Sequence, residues 1–146
     1  MLMRPLLIIL ALSPLPTTPS RVEVPPVTPV RVVAPYRAPA DAYAPGHRGI
    51  DLGARPGQLV VSPIAGTVAF RGMVAGRPVI SVTEGRRIVS LEPVTSTLEP
   101  GTAVFAGQAL GTVGPGGHCS LRCVHLGLRV DGRYVNPLVL HARLVP

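Results

Sequence analysis

At 146 residues the chain has the length of one domain with a short leader or linker. Hydrophobic residues make up 47% of it, enough for a core, while 16 Gly and 18 Pro exclude long helices and favour short strands and turns. Its 14 basic residues, all Arg, against 7 acidic ones give a net charge of +7. Aromatic residues are only 3% and no recognition helix is visible, so the charge reads as a solvated basic surface and no nucleic-acid partner is expected.

Met1 to Arg4 followed by the apolar run Leu6–Leu12 has the order of a secretory signal peptide. The run is far shorter than the roughly 20 residues of a spanning helix, so no transmembrane span is expected. Residues 1–20 are therefore read as signal-like and the protein as secreted or associated with the cell envelope. Residues 14 to 45 contain nine of the 18 prolines. Such a stretch is extended, and 21–30 is read as a linker ahead of a domain over 31–146.

Short strands alternate with turns from Gly46 onward. Leu59–Val61 and Thr67–Phe70 flank Pro63 and Gly66; Val79–Val82 and Ile88–Leu91 flank Glu84-Gly85-Arg86, a hairpin signal. Val104, Leu110 and Val113 sit among glycines, and His125–Val130 runs into the turn dipeptide Asp131-Gly132. The pattern predicts an all-β, two-layer antiparallel sheet or sandwich with very little helix.

Two clusters carry side chains suited to a metal. His47 and Asp51 lie four residues apart around Gly49 and converge on one ion if the chain bends at the glycine. Cys123 and His125 share one face of a strand. A His47, Asp51 and His125 set would leave one position open, as catalytic zinc requires.

The stretches GHRGIDLGARPGQLVVSPIAGTVAF (46–70), VFAGQALGTVG (104–114) and CVHLGLRVDGRYVNPL (123–138) together resemble the core of the M23 (lysostaphin/LytM-type) zinc metallopeptidases, over roughly residues 30 to 140. The resemblance implies a two-layer antiparallel β fold, zinc held by His47, Asp51 and His125, and peptidoglycan stem or cross-link peptides as substrate. It also implies two catalytic histidines, and this chain has Cys123 at one of those positions and Pro93 at the other. Paired cysteines ahead of the last ligand resemble a variant of the family from high-GC Gram-positive bacteria.

Three groups could compensate or replace. Glu92 is a carboxylate able to act as a base. His118, in Gly116-Gly117-His118-Cys119, reads as an exposed side chain on a Gly-rich loop, with a swing toward the metal as the alternative. Cys119 and Cys123 form a disulfide in an exported protein, unless Cys123 is a fourth zinc ligand that closes the site. His141 is assigned no role. Three functions follow: a zinc endopeptidase on peptidoglycan; a degenerate relative that binds the wall or regulates a partner hydrolase; and a biotinyl/lipoyl-like carrier. With no Lys in the chain there is nothing for a carrier to acylate.

Overall fold

The computed structural model describes residues 22–140. The signal-like segment and His141 lie outside the described residues. Eleven strands are described: β1 (Val32–Ala34), β2 (Gly49–Gly53), β3 (Leu59–Val61), β4 (Gly66–Val74), β5 (Arg77–Glu84), β6 (Arg87–Glu92), β7 (Val94–Thr95), β8 (Ala103–Val104), β9 (Ala109–Val113), β10 (Cys123–Val130) and β11 (Arg133–Val135), followed by one 3₁₀ turn, Pro137–Leu140. Eight of them form an antiparallel sheet in the order β1-β2-β10-β6-β5-β4-β8, with β11 also paired to β10. A smaller sheet, β3-β9-β7, forms the second layer. The fold is thus the all-β, two-layer architecture expected from the sequence. No helix among the described residues is long and apolar enough to cross a membrane.

Alternation along the strands decides which face is buried. Ile50 and Leu52 on β2, Val124, Leu126 and Leu128 on β10, Val89 and Leu91 on β6, and Ile80 and Val82 on β5 are all buried. They pack in one core with Val60, Leu110, Val94 and Val113 of the smaller sheet. The intervening residues, Asp51, His125, Ser90 and Glu92 among them, therefore stand on the opposite face of the large sheet. The turns follow from local chemistry. Asp131 and Gly132 both have positive φ (51° and 77°), the left-handed pair that a two-residue hairpin needs. The Arg86 guanidinium grips the Asp131 carboxylate and joins the tips of two hairpins.

The linker reading of 21–30 does not hold over the described residues. Val27 is 2% exposed and belongs to the core. The Val24 amide donates to the Pro63 carbonyl and the Val61 amide to the Pro26 carbonyl. Glu23 pairs with Arg87 at the start of β6. A proline-rich segment has few amides to satisfy, so it can lie along an edge without leaving many donors unpaired. Proline content excludes a helix here, but it does not distinguish a free linker from a strap. Val27→Ala should therefore destabilise the domain by about 2 kcal/mol, while Val22→Ala at an exposed position should be neutral; denaturant midpoints of the two variants check this.

Candidate metal centre

The site is a row of side chains across three neighbouring strands. In register, Asp51 on β2 lies opposite His125 on β10, and His125 lies opposite Glu92 on β6. Cross-strand partners share a face, so all three project together away from the core. His47 precedes β2 and is held by an isolated bridge to Arg37. The extended run breaks at Arg48, one residue before β2 begins, rather than by a turn at Gly49.

The glycine contributes space. A Cβ on Gly49 would fall 2.6 Å from His125 Nε2 and 2.3 Å from the Leu126 carbonyl oxygen. The His125 imidazole lies where any larger residue at 49 would put its side chain. That close approach is the physical content of the glycine in His47-Arg48-Gly49-Ile50-Asp51, which spacing alone had left unexplained.

The donor atoms converge. His47 Nε2 is 3.1 Å from Asp51 Oδ1 and 3.2 Å from His125 Nδ1. His125 Nδ1 is 2.8 Å from Asp51 Oδ1. A tetrahedral shell with zinc-type bonds of about 2.0–2.1 Å sets neighbouring donors about 3.3 Å apart, so these separations fit a metal ion. His47 Nδ1 donates to the Pro35 carbonyl at 2.7 Å, which leaves the Nε2 lone pair facing the cluster. The Asp51 side chain is 7% exposed. Burial by itself would raise its pKa, but hydrogen bonds from His125 and His118, with the charges of His118 and His47, outweigh it and lower the pKa to about 2. Asp51 is therefore an anionic carboxylate throughout the neutral range.

The structure places His118 in this cluster. Its Nε2 lies 3.0 and 2.9 Å from the two Asp51 oxygens. Four side chains, His47, Asp51, His118 and His125, bring ligand atoms within 4.8 Å of one another, so they can hold a metal ion. Of the two sequence readings of His118, an exposed side chain on a glycine-rich loop and a swing toward the metal, the structure combines both: the side chain is 52% exposed and reaches Asp51. Its loop is constrained twice. Cys119 and Cys123 are joined by a disulfide, which ties His118 to the start of β10 and leaves Cys123 no thiolate with which to ligate a metal. Gly116 and Gly117 rest on Arg77: a Cβ on Gly117 would meet Arg77 Cδ at 2.8 Å.

Glu92 has a different place. Its Oε1 lies 2.8 Å from Arg77 Nε, a close ion pair whose N–H is not aimed as a hydrogen bond. The carboxylate thus holds the arginine that supports the His118 loop, a positioning role that no sequence motif signalled. Pro93, where the resemblance expects a histidine, is buried and carries no proton.

A model of peptidase family M23 matches residues 45–137. Uncharacterized proteins of Mycobacterium tuberculosis and Mycobacterium bovis are each 40% identical, with 66% of this chain and 41% of the relative covered. The chain thus spans less than half the length of these curated relatives. Among solved structures, Helicobacter pylori Csd3 is 29% identical with a TM-score of 0.64, covering 78% of this chain and 32% of that one. A chain of the SpoIIQ–SpoIIIAH pore-forming complex has a TM-score of 0.69 at 23% identity, covering 82% and 90%. A zinc-containing peptidase from Vibrio cholerae has a TM-score of 0.64 at 19% identity, covering 75% and 37%.

The role given to Gly49 is testable. Gly49→Ala should displace the His125 ring and lower metal uptake at least tenfold, measured as metal content after dialysis against the divalent ion. Gly57→Ala, where a Cβ meets nothing within 4 Å, should strain its turn at φ 71° but leave uptake unchanged.

Proposed function

Because the chain belongs to peptidase family M23, we propose that it is a zinc-dependent endopeptidase acting on peptidoglycan peptides, with His118 as its proton-handling side chain. The observation that carries this reading is the contact of His118 Nε2 with the Asp51 carboxylate, at 2.9 Å, inside a cluster whose other members stand on or beside strands. His47, Asp51 and His125 would hold the metal. Zinc at such a site supplies Lewis acidity toward a peptide carbonyl and toward water.

The chain's own groups do the rest. The Pro35 carbonyl orients His47, and Gly49 admits the His125 ring. His118, with its side chain 52% exposed, faces both solvent and the cluster. It is placed to accept a proton at Nε2 and return it to a leaving amine, work that neither Cys123 nor Pro93 can do. Glu92 and Arg77 keep its loop in place. Support for zinc comes from the donor spacing and from the Vibrio cholerae neighbour, described as a zinc-containing peptidase. A peptidoglycan substrate places the protein outside the cytoplasm, in keeping with a disulfide and a signal-like leader.

The four-donor set favours a second reading. With His118 as a permanent fourth ligand the site is closed, and the domain binds wall peptides or regulates a partner hydrolase. The SpoIIQ–SpoIIIAH complex shows the same fold in a protein assembly.

One substitution separates the two. On the peptidase reading, His118→Ala keeps about one zinc per chain and loses muropeptide release about 100-fold or more. On the closed-site reading the parent releases none and His118→Ala loosens the zinc. Muropeptide release unchanged in His118→Ala, with zinc retained, removes the role given to His118. In either case His125→Ala strips the metal.

A further inference from the structure

The arginines divide into two groups. All seven Asp and Glu side chains lie among the described residues, and each has a partner. Glu23 and Glu84 hold Arg87, Glu92 holds Arg77, Glu99 holds Arg71 and Asp131 holds Arg86. Asp51 is taken by the histidines, and Asp41 Oδ1 accepts from the amides of Tyr43 and Ala44. Among the described residues no carboxylate lies within ion-pair distance of the other seven arginines, Arg48, Arg129 and Arg133 among them.

Two of them, Arg48 and Arg129, gather around one ring. The guanidinium carbons of Arg129 and Arg48 lie 5.7 and 6.0 Å from the centroid of Tyr134. Arg133 adjoins Tyr134 on β11, and Tyr134 is the register partner of Arg129. Arg48 Nη2 donates to the carbonyls of Ala42 and Ala44, which orients the fork and leaves its other donors available. Tyr36, Asp41, Arg48, Arg133 and Tyr134 line an open cavity of about 650 Å³ there. Asp41 is its one acid and is committed to its own loop. That single carboxylate does not balance the arginines beside it, and a further anion between them lowers their mutual repulsion.

Tyr134, which lines the cavity, is the register partner of Arg129 and so shares a face with it. Arg129 follows His125 by four residues on β10, so alternation puts both side chains on that face, about 14 Å apart along the strand. We propose that Arg48 and Arg129, set against Tyr134, together with Arg133 at the edge of the same cavity, form a subsite for a carboxylate of the peptide substrate, roughly four extended residues from the metal centre. The guanidinium fork matches a carboxylate and not a carboxamide, so the subsite selects acidic over amidated peptides. The identity of the peptide rests on the peptidase reading; the preference for a carboxylate does not.

The test is calorimetric binding of four acetylated penta-peptides to the intact chain. One ends in glutamate amide and one in glutamine amide after four alanines; the other two are all-alanine, with a free C-terminus or its amide. The acidic member of at least one pair should bind tenfold or more tightly than its neutral partner. The pair with the larger difference identifies the source as a side chain or a C-terminus. Arg133→Gln, at an exposed position, and Arg129→Gln should each reduce that difference severalfold without changing neutral-peptide binding. Arg129→Lys should restore part of it. Equal binding of acidic and neutral peptides by the parent overturns the subsite. Failure of the peptidase reading looks different: the carboxylate preference stands while no muropeptides are released.

Discussion

The register of β10 between β2 and β6 is the constraint on which the site depends. That single alignment places Asp51, His125 and Glu92 side by side on one face and Leu52, Val124, Leu126 and Leu91 on the other. A slip of one residue would turn the apolar set outward and bury an imidazole, so the energy that fixes the register is hydrophobic burial on the far face. Asp51, His125 and Glu92 are thus held in place by a core on the opposite face of their sheet. Gly49 is where the two demands meet, since β2 must pair closely with β10 and still leave room for the ring of His125.

Labour is divided between sheet and loop. His125 and Asp51 stand on central strands, with His47 braced by the Pro35 carbonyl, so their positions are set when the sheet forms. His118 is held by other means: a disulfide on one side and a glycine pair seated on Arg77 on the other. Rigid ligands with a tethered, solvent-facing imidazole suit chemistry in which one group must change protonation while the others stay fixed.

Much of this was legible in the sequence. Period-two alternation and turn dipeptides gave the strands, and His47, Asp51 and His125 were nameable from spacing and resemblance. His118 was nameable as a substitute for a missing histidine, but the sequence does not decide between that and an exposed loop residue, because its approach depends on a loop folding back over Arg77, a contact that crosses some 40 positions in sequence. Glu92 was marked as a base because its type permits it; only the packing reveals the arginine beside it. The packing of residues 22–30 is not legible in composition, which says nothing about what a backbone lies against. The arginines around Tyr134 were counted but could not be placed, since net charge does not reveal which cations are already neutralised.

The strap before β1 has a consequence for where this domain starts. The family match begins at residue 45, yet Val27 sits in the core, Arg31 accepts the Gly53 amide through its carbonyl, and Pro35 orients a ligand. A fragment trimmed to the recognisable homology would lose an edge strand, a core side chain and the carbonyl that sets the tautomer of His47. The cooperative unit is wider than the stretch by which kinship is detected, and expression boundaries for this domain belong upstream of Val22.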